Sequence, residues 1–298
     1  MEYRITDNNK CGVIGYGSWA TALVHTLENN KKEVWWHVTN EEILESLNEE
    51  GHNAKYLSDI DFDMNLIHAT SDINEVIREC EIILVAAPSA FLKKILSNIT
   101  ESLENKFILS ATKGIIQDDF VTITEYFSQC FGIRYSNLGV ISGPSHAEEV
   151  SRDKLSYLTV ACKDRENAEL IGQMFNTKSV NISYSDDIYG IEYAGILKNI
   201  YALAVGLAYG LGYGDLLVTA YSSFSRNRRL GQLIGHGCTV KSALNEMTMV
   251  AEGYYASACI KKINETHNIS LPIADMVYDI LYCRANPRKS MLALAKLL

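Results

Sequence analysis

Cys11-Gly-Val-Ile-Gly15-Tyr-Gly17-Ser-Trp-Ala20 is a short apolar run that ends in Gly15-x-Gly17-x-x-Ala20. It leads into Ala20-Thr-Ala-Leu-Val-His-Thr-Leu27, whose apolar residues recur at helical spacing. The stretch reads as a dinucleotide-binding turn. Gly15 allows the chain to leave the strand sharply, Gly17 lets backbone amides approach a pyrophosphate, and Ala20 keeps helix and strand close. The helix that follows aims its unsatisfied N–H groups and positive dipole end at the phosphates. The plainer reading of so short a pattern is a tight strand-to-helix turn with no ligand. Its place after a strand candidate, in what would be the first βα unit, favours the cofactor. One part of the fingerprint is missing, because no Asp or Glu stands about 20 residues beyond Gly15 to hold a ribose hydroxyl. The second strand candidate, Glu33-Val-Trp-Trp-His37, ends instead in His37-Val-Thr39-Asn40, which leaves NAD and NADP both open.

Outward from this turn, strand candidates alternate with helical stretches at Cys11–Gly15, Val34–His37, Leu66–Ala69, Glu81–Ala86, Phe107–Ser110, Leu138–Ser142 and Leu158–Ala161. Such alternation predicts an α/β fold, a Rossmann-type doubly wound and mostly parallel sheet with helices on both faces. Beyond about Asp186 it stops. Ile188–Leu211 is small and apolar throughout, as in a helix buried on most sides. Helical periodicity continues through Ser242–Met249, Tyr255–Asn264 and Pro272–Tyr282. The expected organisation is a dinucleotide-binding domain over 1–185 and an all-helical substrate domain over 186–298.

A chain of 298 residues, 47% hydrophobic and 21% charged, can fill two ordinary cores. No run of about 18 apolar residues suggests a membrane span, and the polar Asp7-Asn-Asn-Lys10 is unlike a signal-peptide core, so a cytoplasmic address is expected. Seven cysteines without a Cys-x-x-Cys pair support neither a disulfide framework nor zinc. His37, His146 and His236 lack partners at ligand spacing, so no metal is expected. A net charge of −9 argues against nucleic acid. Any anionic ligand therefore needs local positive charge, most concentrated in Ser225-Arg-Asn-Arg-Arg229.

Ligands of such sheets bind at the carboxyl ends of the strands. There lie Pro88-Ser89, Ser110-Ala-Thr-Lys113-Gly114 and Gly143-Pro-Ser145-His-Ala147. In the helical half Lys198 stands out, since an ammonium within an Ala/Gly/Leu-rich helix is costly to bury. It reads equally as an exposed lysine on a polar stripe with Glu192 and Asn199, or as a proton donor with a lowered pKa. Lys113 has the same two readings, with its place after a strand favouring function. Asp215 reads as a possible helix cap, and Glu252 as a solvated acid near a helix end.

Together these motifs resemble the bacterial-type NAD(P)-dependent glycerol-3-phosphate dehydrogenases. The matching segments are Gly15-Tyr-Gly-Ser-Trp-Ala-Thr-Ala-Leu23, Pro88-Ser89, Ala111-Thr-Lys-Gly114, Ser142-Gly-Pro-Ser145, Leu197-Lys-Asn199, Asp215-Leu-Leu-Val-Thr219, Ser225-Arg-Asn-Arg-Arg229 and Val250-Ala-Glu-Gly-Tyr254. They keep the family's order over nearly the whole chain. The resemblance implies an oxidoreductase that interconverts dihydroxyacetone phosphate and sn-glycerol 3-phosphate with NAD or NADP, supplying glycerol phosphate for phospholipid synthesis. It implies catalytic roles for Lys198, Lys113 and Asp215, with Lys198 as proton donor and acceptor. Substrate contacts would be Lys113, Gly143, Ser145, Lys198, Asp215, Ser225, Arg226 and Asn227. Cofactor contacts would be Gly15, Gly17, Ser18, Trp19, His37, Lys113, Ala147, Arg226, Val250 and Glu252. Thr39 stands where NADP-preferring relatives often carry arginine, a slight lean to NAD.

One departure is an apparent internal shortening. Gly210-Leu-Gly-Tyr-Gly214 runs directly into Asp215-Leu-Leu-Val218, where the family's spacing implies roughly 35 further residues, or two to three short helices. Asp215 is assigned to the second of these blocks. The shortening raises a competing reading, an impaired or inactive relative that still binds dinucleotide. It also suggests self-association through an apolar face left uncovered. A third reading is a reductase of similar architecture with a different phosphorylated or carboxylated substrate.

Overall fold

Apolar runs that are hydrophobic at every position, such as Ile82-Ile-Leu-Val85, form strands covered on both faces, as parallel sheets require. In the computed structural model, which describes residues 4–213 and 225–297, eight strands build one sheet. They are β1 (Cys11–Ile14), β2 (Val34–His37), β3 (Ile67–Thr70), β4 (Ile82–Val85), β5 (Phe107–Ser110), β6 (Leu138–Ser142), β7 (Ser156–Cys162) and β8 (Val180–Ser185). The strand order is β3-β2-β1-β4-β5-β6-β7-β8, so the winding reverses between β1 and β4. Every described pairing is parallel except β6 with β7. The alternating pattern misses β8 altogether. Asn181-Ile-Ser-Tyr-Ser185 is an edge strand whose polar residues hide the apolar signal.

Two compact units divide the chain: Met1–Thr112 with Ile123–Glu192, and Lys113–Thr122 with Tyr193–Leu298. Around the sheet of the first lie α1 (Ser18–Asn29), α2 (Glu41–Glu50), α3 (Ile73–Glu79), α4 (Ser89–Leu96), α5 (Ile123–Phe131), α6 (Ala147–Val150) and α7 (Arg165–Phe175). Its core includes Val13, Leu23, Trp36, Phe107 and Phe175. The long α8 (Ile188–Gly210) begins in this unit, where buried Glu192 accepts the Ile123 and Thr124 amides at 3.1 and 3.2 Å and so caps α5.

The second unit contains the rest of α8, α9 (Arg226–Gly235), α10 (Val240–Glu246), α11 (Glu252–His267), α12 (Pro272–Tyr282) and α13 (Pro287–Leu294). Its core centres on Ile196, Ile200, Leu203 and Leu207 with Leu230, Val277 and Ile280. By length and composition α8 could cross a membrane, a correction to the expectation of no such run. The burial of its apolar residues in this core accounts for the composition without lipid. Helix ends also differ from the periodicity: α11 starts three residues before Tyr255, and α13 has no apolar stripe strong enough to announce it.

Glycines hold α8 and α9 together. A Cβ at Gly231 would lie 2.7 Å from the Leu207 amide nitrogen, and one at Gly235 2.5 Å from the Leu207 carbonyl oxygen. Gly206 and Gly210 face α9 backbone in the same way. No larger residue permits this approach without displacing main chain. Residue numbers rise together along the two helices, so they run in the same direction. That register sets the start of α9, Arg226 and Asn227, level with the Lys198-Asn199 turn of α8.

Candidate active site

The glycine turn follows β1 at the reversal of strand order, where ligands of doubly wound sheets bind. Gly15 has φ +117°, and a Cβ there would come within 2.7 Å of the Ala87 amide nitrogen. Gly17 is the N-cap of α1 without a capping side chain, and nothing lies within 4 Å of where its Cβ would stand. Uncapped amides at an open helix start fit a pyrophosphate. Ser18 opens α1, while Ala20 is wholly buried. The indole N–H of Trp19 donates to the Ala111 carbonyl at 3.1 Å, which leaves the ring rather than the nitrogen for a ligand. His37 ends β2 and is buried. Burial lowers its pKa, against smaller opposing effects of the Ser71 backbone and Asp72, so the ring is neutral at physiological pH.

Asn53 is a residue that sequence reasoning missed. Fully buried, it donates to the Tyr16 carbonyl and the Thr21 hydroxyl, both at 3.0 Å, and accepts the Lys55 and Tyr56 amides at 3.1 Å. Its side chain thus latches the glycine turn to the loop after α2. Only an Asx-turn pattern in His52-Asn-Ala could have hinted at it.

At the end of β6, Gly143 is required by packing, because a Cβ would press on the Tyr157 carbonyl and lie 3.1 Å from Leu158 Cα. The Ser145 hydroxyl is buried and, among the described residues, has no hydrogen-bond partner. Such a group fits a polar ligand atom. Ala147 follows as the buried first residue of α6.

In the helical unit, Lys198 and Arg226 each come close enough to Lys113 for their charges to act on it. Burial, followed by the positive charges of Lys198 and Arg226, lowers Lys113 to about 7. Burial also lowers Lys198. Both supposed companions of an exposed Lys198, Glu192 and Asn199, are buried, which removes the polar-stripe reading. The Asn199 amide donates to the Lys113 carbonyl at 3.0 Å and ties Lys113 to α8, a second contact that sequence reasoning missed.

Ser225 is the N-cap of α9, its hydroxyl accepting the Arg228 amide at 3.3 Å. Arg226 is exposed in the first turn, with Nη1 4.0 Å from Met249 Sδ. Asn227 is buried, and its Oδ1 accepts the Gly253 amide at 2.8 Å. With that oxygen committed, its Nδ2 is the atom left to donate to a ligand. The same bond joins the starts of α9 and α11, and Glu252 is the half-buried first residue of α11, just after Val250. Asp215 lies outside the described residues.

A lysine whose folded pKa is lowered binds fewer protons folded than unfolded between that value and its ordinary 10.5. Its cost is full below about 7 and is relieved as pH rises toward 10.5. The melting temperature of wild type relative to Lys113→Met therefore increases from pH 6.5 to pH 9. Melts of both proteins across that range check this, and the opposite slope excludes a depressed Lys113.

A family model described as NAD-dependent glycerol-3-phosphate dehydrogenase N-terminus matches residues 10–168, and its C-terminal counterpart matches 187–215 and 211–292. The chain is 31% identical to the glycerol-3-phosphate dehydrogenase (NAD(P)+) of Staphylococcus carnosus, over 92% of this chain and 94% of that protein. The protein of the same name from Oceanobacillus iheyensis is 32% identical, over 94% and 91%. These alignments span 312 and 318 positions, more than the 298 residues of this chain, so the relatives carry internal residues that it lacks. The break in the C-terminal match falls at 211–215, where the shortening is expected. Among solved structures, glycerol-3-phosphate dehydrogenase from Coxiella burnetii shares the fold with TM-score 0.87 at 23% identity, covering 97% of this chain and 99% of that one. The Plasmodium falciparum enzyme does so with TM-score 0.81 at 19% identity, covering 95% and 94%.

Proposed function

Because the chain belongs to the NAD-dependent glycerol-3-phosphate dehydrogenase family, we propose that it interconverts dihydroxyacetone phosphate and sn-glycerol 3-phosphate with NAD(H) or NADP(H). The observation that carries this reading is the meeting of Lys113, Lys198 and Arg226, where the two neighbouring charges acting on Lys113 are both positive. Such a cradle suits a phosphorylated ketone. A guanidinium pairs with two phosphate oxygens at once. The first-turn amides of α9 and the Asn227 Nδ2 add donors beside it.

The nicotinamide, when bound, supplies or accepts the hydride at the carbinol carbon. The chain's own residues handle the proton. In reduction the Lys198 ammonium gives its proton to the carbonyl oxygen as the carbon gains hydride, and the resulting amine is reprotonated from water. In oxidation the Lys198 amine takes the hydroxyl proton. Burial lowers both lysines, Lys113 to about 7, so each gives up its proton more readily than a solvated lysine does. Lys113, held by Asn199, polarises the same oxygen. The Gly15–Gly17 turn and the start of α1 would hold the pyrophosphate. In the cell the product would feed phospholipid synthesis. The cytoplasm is the proposed site, since a charged triose phosphate crosses lipid only at high cost.

The test is oxidation of NADH and NADPH, followed at 340 nm, with dihydroxyacetone phosphate. Turnover that depends on this substrate is the expected result. Cofactor binding without turnover would overturn the enzymatic reading and leave a dinucleotide-binding relative.

A further inference from the structure

The adenosine end of the cofactor pocket carries a distinctive arrangement of charge. β2 ends at buried, neutral His37. Thr39, two residues on, places its hydroxyl 3.3 Å from the Tyr16 phenol, which ties the strand end to the glycine turn. Asn40 caps α2 by accepting the Ile43 amide at 3.1 Å, and the exposed first turn of that helix holds Glu41 and Glu42. From Val34 to Leu57 the only Lys or Arg is Lys55. Asn53 accepts the Lys55 amide at 3.1 Å while donating to the Tyr16 carbonyl, so Lys55 is anchored beside the turn. Its ammonium is 2.5 Å from Glu42 Oε2.

We infer that the Glu42–Lys55 pair makes this chain select NAD over NADP, Glu42 both engaging Lys55, the one Lys or Arg between Val34 and Leu57, and repelling a 2′-phosphate. The inference rests on the cofactor reading above and deepens it. A 2′-phosphate brings about two negative charges at neutral pH, as phosphate monoesters do. Buried neutral His37 supplies no charge to meet them, and the first turn of α2 adds two carboxylates close by. The unphosphorylated ribose of NAD meets no such penalty. Because both members of the pair reach solvent, the discrimination is electrostatic and falls with ionic strength.

Quenching of protein fluorescence on titrating NADH and NADPH into the full chain, without substrate, reads the two affinities independently of turnover. Wild type at low salt is expected to bind NADH at least about tenfold more tightly, with the gap narrowing at high salt. Glu42→Gln should improve NADPH affinity about fivefold, the scale of an exposed charge pair. Glu42→Gln/Lys55→Met should lose that gain, because the released ammonium is what meets the phosphate. Equal affinities in wild type, no gain in the single variant, or a gain that survives in the double variant would each overturn the pair's role. Absence of NADH binding would instead overturn the cofactor reading itself.

Discussion

Replacing Lys198 with Met lowers kcat by about 10²–10⁴-fold, the usual worth of a positioned general acid or base, while the dissociation constant of NADH stays within a few-fold. The side chain sits on a helix whose remaining faces are committed to packing, with Ile196, Ile200, Leu203 and Leu207 buried. An ammonium there has been drawn partly out of water, and the lowered pKa is the consequence. Methionine matches its length and keeps the packing, so loss of turnover is not loss of the helix. Lys198→Arg separates two roles. Arginine keeps the positive charge but holds its proton through the whole accessible pH range. If charge alone stabilises the alkoxide-like oxygen, the Arg variant recovers most of the rate. If proton transfer is the task, it stays near the Met variant, and that is the expected outcome. Steady-state kinetics and a fluorescence titration of both variants decide between them.

The parts of this molecule that could be read from sequence are those where one physical demand acts on adjacent residues. The glycine turn is such a case: Gly15 adopts φ +117° and Gly17 stands open, as its spacing predicts. So are strands β2, β5 and β6, short apolar stretches that each end in a polar residue, His37, Ser110 and Ser142. Asn53 was not legible, because beyond its local turn with Lys55 and Tyr56 its importance comes from two hydrogen bonds to Tyr16 and Thr21, which lie far away in sequence. Nor was Asn199, which looks like the polar neighbour of an exposed lysine until the Lys113 carbonyl is found against it. The glycines at 206, 210, 231 and 235 look like weaknesses in two helices, and they gain meaning only from each other. The shortened segment was readable by comparison with the family's spacing, whereas its structural effect on Asp215 was not, since that residue lies outside the described residues. Long-range complementarity leaves no local trace in either case, whether it is one hydrogen bond or a helix crossing.

Replacing Arg226 with Ala raises the KM for dihydroxyacetone phosphate by about 10²–10³-fold, in line with truncating one partner of a hydrogen-bonded charge pair. NADH affinity changes much less. Arg226 opens α9, where its guanidinium, the first-turn amides and the Asn227 Nδ2 belong to one start of a helix. A phosphate there gains from all three, and only the guanidinium is lost in the variant. Unphosphorylated dihydroxyacetone provides the control: wild type is expected to use it poorly, and the variant no worse. If both substrates suffer alike, Arg226 acts on the carbonyl or the cofactor instead. A second readout follows from the charges. Arg226 is one of the two cations that depress Lys113, so removing it lets that pKa climb above about 7. Any limb of the pH–rate profile set by Lys113 then moves to higher pH in Arg226→Ala, and Arg226→Lys, which restores a positive charge without the planar fork, moves it back while recovering only part of the KM. A profile that stays put in the Ala variant would separate the phosphate contact from the lysine cradle and assign Arg226 to the former alone.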